Sequence, residues 1–448
     1  MKKRMLSIIL TICMIMSTFA AMSVTASAAE SGKCGDDLTW TLNDEGTLTI
    51  SGTGDMYGYI WMDHDIPWDN FRDKILSVII EDGVTSIRSY SFYNCINLKN
   101  IIIPNSVTSI GGYAFEGCSS LTNITIPDSV VYISGWAFKD CSSLTDIKIP
   151  DNVTSIDSGA FEGCSSLTNI TIPDSVTSIS YNSFYKCNSL SDINVNRNNP
   201  KYSSINGNLY NKNCSVLIQY AIGKKDTSFN IPDSVTSISY LAFYDCRSLK
   251  NINISDNIIS IGDLAFFGCS SLTDITIPYN VISIGEMAFS SCNSLSTITI
   301  SGNVNFIGYH AFKYCNNLTD VYYLSNKENW DKIYIGSSNE DLLSANIHYL
   351  SFNGKISTAE YDGTKVSGTV NFDYSDEKYT SYLNVILYLA LFDNSGRLEK
   401  FVKYDVPKGL KSQDFEIPVA DANGHSIKAM FWDGNYAPLG ISDEVTIK

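Results

Sequence analysis

The chain has 448 residues, a formal net charge of −16 and 44% apolar residues. That length exceeds what one compact core supports, and the apolar share excludes a disordered tail, so more than one folded domain is expected. The negative charge argues against nucleic acid or an anionic membrane surface as a partner, because both require a basic patch.

Residues 1–28 read as a secretory signal peptide. Lys2, Lys3 and Arg4 supply the positive start, Leu6–Phe19 is an apolar run shorter than a membrane span, and Ala26-Ser27-Ala28 is a small-residue cleavage site. Cleavage after Ala28 removes three basic residues and no acid, taking the charge from −16 to −19. Cys13 lies inside the apolar run without a preceding Gly or Ala, so no lipid anchor is expected there. No later stretch approaches about 18 consecutive apolar residues, so no membrane insertion is expected. The mature chain is expected to be secreted and extracellular, with or without attachment to the cell surface.

Residues 29–75 predict an N-terminal cap. LTWTLNDEGTLTISG, Leu38–Gly52, alternates as a hairpin that sets Trp40 and Leu42 against Leu48 and Ile50 across Asn43-Asp44-Glu45-Gly46. Trp68 and Phe71 follow.

From 76 to 324 the chain repeats. Cysteines fall at 95, 118, 141, 164 and 187, then at 246, 269, 292 and 315, always 23 residues apart within each series. The segment CSSLTNITIPDSV occurs at 118–130 and again, unchanged, at 164–176. A fixed period of this size marks a solenoid. One period reads C-x-x-L-x-x-I-x-I-P-x-x-V-x-x-I-x-x-x-A-F-x-x. The L-x-x-I-x-I stretch is a short strand with alternate residues inward, and proline ends it because it brings no donor to the ladder. A single turn cannot bury this apolar set; stacked turns bury it between neighbours.

The cysteines lack the clustered spacing of a metal site, and no metal is expected. Stacked parallel turns hold Cβ atoms roughly 4.8 Å apart, beyond the usual disulfide separation of about 3.5–4.5 Å, so the column is expected to be buried and reduced.

Fifty-nine residues separate Cys187 from Cys246. The surplus predicts a hairpin insertion at about 196–225, with turns at Asn206-Gly207 and Asn211-Lys212-Asn213. Residues 325–349 drop the repeat, carry Trp330 and predict a C-terminal cap. Residues 350–448 change pattern to longer alternating segments and predict a small antiparallel β-sandwich.

The register of the CSSLTNITIPDSV-type units, over roughly residues 76–349, resembles the BspA-like leucine-rich repeat family of bacterial surface and secreted proteins. The resemblance implies a mainly β leucine-rich repeat solenoid with adhesion or partner binding as its role. It implies no catalysis and transfers no individual binding residue. The C-terminal segment loosely resembles accessory β-sandwich modules of secreted gut-bacterial proteins.

No motif carries chemistry. The four histidines, His64, His310, His348 and His425, stand far apart, none within a nucleophile motif, so no catalytic residue and no cofactor are expected. The outward strand columns, such as Asn123, Asp146 and Asn169, are polar and poor in the residues that dominate interfaces. The residue before Ala-Phe is more promising. Tyr90, Tyr113 and Trp136 follow one another at this position in consecutive turns and predict an aromatic stripe. Tyr202, Tyr210 and Tyr220 of the insertion are the other candidate contacts. The expected partner is an extracellular protein or a glycan, and the expected function a non-catalytic binding or adhesion scaffold. The alternative is an accessory protein that holds polysaccharide through its sandwich.

Overall fold

The computed structural model describes residues 28–58, 66–349, 352–374, 385–407, 410–433, 438–442 and 444–447. Residues 1–27 of the expected signal peptide and His64 lie outside them. The chain forms two compact units, Met1–Asn188 and Ser189–Lys448.

In the first unit, strands Ala28–Lys33, Asp37–Asn43 and Thr47–Asp55 form an antiparallel meander. Trp40 pairs with Ile50 and Leu42 with Leu48, and all four are buried. The third strand then starts the solenoid. Thr47–Ile50 pair in parallel with Ser77–Ile80, while Gly54 and Asp55 pair with Val84 and Ser86. Trp68 covers the open end of the phenylalanine column. Its ring lies 5.8 Å from Phe92 at 16°, and its Nε1–H donates to the Ser91 carbonyl at 2.8 Å.

Each solenoid turn buries the apolar set that the repeat defines. In the turn that begins at Cys118, Leu121, Ile124, Ile126, Val130, Ile133, Ala137 and Phe138 are all buried. The strands themselves are short, from two residues at Ser109–Ile110 to five at Thr297–Ser301. A second ladder of backbone bonds runs through the turns. Alternate residues of the x-A-F-x-x stretch donate to the next turn: Tyr113 to Gly135, Phe115 to Ala137 and Gly117 to Lys139, at 3.2, 2.8 and 2.8 Å. The second unit repeats it from Leu264, Phe266 and Gly268.

The first and last donors of each set have positive φ, as at Tyr113 (58°), Gly117 (74°), Trp136 (56°) and Asp140 (56°). Left-handed backbone costs a residue with a Cβ about 1–2 kcal/mol, and Gly, Asn and Asp tolerate it best. That preference explains Asn94, Gly117, Asp140 and Gly163 before the cysteines. The position before Ala-Phe takes large side chains in most turns instead, as at Tyr113, Trp136 and Leu264, with Gly159 the exception.

Among the described residues all eleven cysteines are thiols, and all but Cys214 are buried. Seven column thiols donate to a phenylalanine carbonyl of the preceding turn, as from Cys118 to Phe92 at 3.1 Å and from Cys269 to Phe243 at 3.2 Å, while Cys246 reaches the Tyr244 carbonyl at 3.9 Å. A small apolar side chain with one weak donor satisfies a position where Ala leaves that carbonyl lone pair unused.

The insertion differs from expectation. Tyr202–Ile205 and Asn208–Asn211 do form a hairpin over Asn206-Gly207, both with positive φ. The following strand, Val216–Gln219, already belongs to the solenoid and pairs in parallel with Ser237–Ile238. Tyr220 stands one period before Phe243. It stacks on that ring at 5.4 Å and donates its N–H to Ala242 at 2.8 Å, the bond a column phenylalanine makes. Tyr210 and Tyr220 are therefore core residues, exposed by 0% and 1%, and not surface contacts. Gly223 stands where the cysteine would fall. A Cβ there would lie 2.2 Å from the Ser189 carbonyl carbon, so the marker residue is lost while the period continues.

The solenoid closes with helices Lys327–Trp330 and Glu340–Ser344 and strand Asn346–Tyr349. Beyond it stand two antiparallel sheets. Phe352–Tyr361, Lys365–Tyr374 and Ser412–Pro418 make one; Val385–Phe392, Leu398–Val406, Ser426–Asp433, Pro438–Ile441 and Val445–Thr446 make the other. One core joins them, with Val366 and Phe415 from the first sheet and Leu389 and Phe431 from the second. The solenoid core of this unit and the sandwich core share no residue. We expect fragments 29–349 and 351–448 each to melt cooperatively. An unfolded C-terminal fragment, seen by circular dichroism, would place the boundary elsewhere.

Candidate binding surface

The outward strand columns are exposed and polar. In the first unit Asn105, Asn123, Thr125, Asp128, Asp146 and Lys148 line a shallow, open groove of about 510 Å³. Lys148 and Asp128 approach to 3.7 Å with both side chains largely in water, a pair worth at most about 1 kcal/mol. In the second unit the face ends at Tyr322. His348 stacks on that ring at 4.6 Å and meets Asp320 through Nε2 at 2.8 Å, and this hydrogen bond holds the Asp320 carboxyl below the usual carboxylate range.

Tyr90, Tyr113 and Trp136 do come together. Their rings stack at 4.8 and 5.1 Å, within 5° of parallel, and each residue is half-buried. The faces lie against one another, so mainly edges meet solvent. Tyr93 closes one end, edge to face at 5.7 Å. Gly159 closes the other: a Cβ there would lie 2.5 Å from Trp136 Nε1, so the glycine is a seat for the indole. Glu162 accepts from Trp136 beside it, and burial pushes its carboxyl up.

A sequence period locates such a column but does not show which way its rings face. We therefore expect the Tyr90→Ala/Tyr113→Ala/Trp136→Ala variant to lose stability. Two stacked contacts are worth roughly 0.5–1.5 kcal/mol each beyond the area they bury, and alanine keeps the left-handed strain. A thermal melt should fall by several degrees; an unchanged melt would mean the stack carries no stability. Of the three insertion tyrosines only Tyr202 reaches the surface, half-buried in its hairpin.

One surface goes unnoticed when the sequence alone is read. In the second unit Ile259, Ile282, Phe306, Tyr309 and Tyr334 are exposed by 53, 52, 39, 45 and 48%. Parallel strands align Ser283 with Phe306 and Phe306 with Tyr334, and the last two rings stack at 5.2 Å. The Tyr309 and Tyr334 hydroxyls meet at 2.8 Å. Other turns hold Thr and Ser in these two columns, as at Thr154-Ser155, Thr177-Ser178 and Thr236-Ser237. The departures were legible by aligning turns and asking where polar columns turn apolar. Asp256, Asp263 and Glu286 flank the run, all exposed and, among the described residues, without an ion pair. Asp263 accepts the Glu286 N–H at 2.7 Å.

On the sandwich, Tyr388 and Phe401 stack at 5.0 Å on the larger sheet, and Phe401 is 52% exposed. His425 meets Glu399 at 2.8 Å through Nε2. Among the described residues no three His, Cys, Asp or Glu side chains gather as a metal site, and no helix is long and apolar enough to cross a membrane.

Parallel turns of 23 residues with inward Leu and Ile define a leucine-rich repeat solenoid. The chain belongs to the BspA type leucine-rich repeat family, whose model, the BspA type Leucine rich repeat region in six copies, matches residues 70–191 and 219–339. A leucine-rich repeat protein from Eubacterium ventriosum is similar at 33% identity, over 66% of this chain and 79% of that one, with a TM-score of 0.60. A leucine rich cell surface protein from Faecalibacterium prausnitzii is 30% identical over 70% of this chain and 100% of its own, with a TM-score of 0.48. The pneumococcal vaccine antigen PcpA shares the fold at 18% identity, over 72% of this chain and 97% of its own, with a TM-score of 0.52. No curated protein matches the sequence.

Proposed function

We propose that the protein is an extracellular, non-catalytic binding scaffold that recognises proteins on a host or on other cells. The observation that supports this reading is the open apolar run from Ile259 to Tyr334. Large side chains held in water on a rigid sheet edge gain most by burial against a partner, and such patches mark interaction sites. The solenoid core is satisfied within the chain and holds the run at fixed spacing, so little ordering cost attends binding. The test is the mature chain applied to a panel of extracellular-matrix proteins and, in parallel, to a glycan array. Binding to proteins with no glycan hit is the expected result; glycan hits alone would sink the reading.

A second reading, polysaccharide binding through the sandwich, draws on the exposed Tyr388–Phe401 pair. It requires glycan binding that Tyr388→Ala/Phe401→Ala abolishes.

A further inference from the structure

We infer that the run formed by Ile259, Ile282, Phe306, Tyr309 and Tyr334 is a docking surface for a basic, amphipathic protein segment: apolar side chains flanked by Lys or Arg. This deepens the protein-binding reading and rests on it. The surface has two parts. Its centre is apolar: Ile259 and Ile282 follow each other in one column and Phe306 and Tyr334 in the adjacent one, with successive turns at the strand spacing of about 4.8 Å. Its borders are acidic. Asp263 and Glu286 stand in the column that Tyr309 continues, and Asp256 stands on the other side of Ile259 in sequence. These three carboxylates are exposed, and among the described residues no cation pairs with them.

Charge decides the occupant. A second copy would bring the same carboxylates against this surface, within a chain whose net charge is already −16. Like charges across a contact suppress association, and opposite ones steer it. A neutral glycan would leave the acidic borders unanswered and would meet isoleucine where it needs hydrogen-bond partners. A segment with Leu or Val between Lys or Arg answers both parts. Its apolar side chains cover Ile282 and Phe306, and its cations face Asp263 and Glu286.

The probe is a fluorescent 18-residue peptide of Leu and Lys with an amphipathic helical pattern; its control replaces every Lys with Glu. The mature chain should bind the Leu–Lys peptide in the micromolar range, more weakly as salt rises, and should ignore the Leu–Glu peptide. The variant Ile259→Thr/Ile282→Thr/Phe306→Ser restores the residues these columns hold in other turns. It keeps the net charge and is expected to fold. It should weaken the Leu–Lys peptide at least tenfold, which no general attraction to an acidic protein explains. Asp263→Asn/Glu286→Gln should also weaken it and flatten the salt dependence, which keeps the test decisive if the first variant folds poorly. Equal affinity for the two peptides overturns the inference, as does an unchanged triple variant. A dimer in the parent that the triple variant loses also overturns it, in favour of self-association. If a matrix protein binds parent and triple variant alike, the scaffold reading stands and this surface falls. If only glycans bind, the scaffold reading falls, and the peptide titration judges the surface by itself.

Discussion

Between about pH 9 and 10 the solenoid should unfold cooperatively, and its thiols should become reactive in the same transition. Nine column cysteines, from Cys95 to Cys315, are buried and reduced. Burial pushes the Cys95 and Cys315 thiols up to about 12 and raises the other seven as well. In the unfolded chain a thiol ionises near 8.5. The folded-state value is the higher one, so the folded chain holds protons that the unfolded chain releases. The stabilisation is complete below the unfolded pKa and falls away as pH rises above it. Each thiol then removes about 1.4 kcal/mol per pH unit, so nine together remove on the order of 10 kcal/mol by about pH 9.5. That matches the whole stability of an ordinary domain, about 5–15 kcal/mol. At pH 8 an alkylating reagent should reach at most the half-buried Cys214 quickly, whereas the chain from Ala29 onward, denatured and unreduced, should titrate all eleven thiols. Circular dichroism and thiol release followed from pH 7 to 11 check both claims. Native structure that persists at pH 11 would show that the column is not a set of isolated buried thiols.

The solenoid was legible because its core is repetitive. The cysteine, leucine and phenylalanine columns face the same few neighbours in every turn, so the same residues recur at 23. The insertion was misread for the same reason. The gap between Cys187 and Cys246 predicts an insertion at about 196–225, but at Gly223 the chain packs too close to Ser189 for any side chain, and the cysteine is missing from a turn that otherwise continues. Tyr220 kept the period in the phenylalanine column, and its chemistry disguised it. The left-handed positions left a trace before each cysteine, in Asn94, Gly117 and Asp140. They left none before Ala-Phe, where packing overrides backbone preference with Tyr, Trp and Leu. The aromatic stripe was placed in the right register and given too much exposure, because periodicity orders residues along the stack and is silent about ring faces. The apolar run was missed because attention to recurring residues hides departures: Ile282 and Phe306 matter by differing from the Thr and Ser of other turns.

Replacing Asn339 with Leu should cost about 3–6 kcal/mol and lower the melt by roughly 10 °C or more. The reason lies in how the solenoid ends. In most turns the phenylalanine N–H donates to a carbonyl one turn on, as from Phe289 to Ala311 at 2.8 Å and from Phe161 to Ser183 at 3.0 Å. Phe312 has no further repeat turn to meet. Asn339 supplies the acceptor instead, taking the Phe312 N–H on Oδ1 at 2.9 Å. Its Nδ2 donates to the carbonyls of Gly308 at 2.9 Å and Gly336 at 2.7 Å. The side chain is 1% exposed, so water does not replace these bonds. Leucine has the same branched skeleton but leaves the buried Phe312 N–H and the Gly336 carbonyl without a partner, each worth about 1–3 kcal/mol, and the Gly308 carbonyl with only the Ala311 N–H at 3.4 Å. Asn317→Ala is the matched control. That amide makes one bond, to the Asn293 carbonyl at 2.7 Å, in the open, and its loss should cost less than about 1 kcal/mol. Differential scanning calorimetry on both variants decides the matter. If the two melts fall by the same small amount, the solenoid does not depend on this amide for its closure, and the helix Glu340–Ser344 with Leu342 against the core must hold the end unaided.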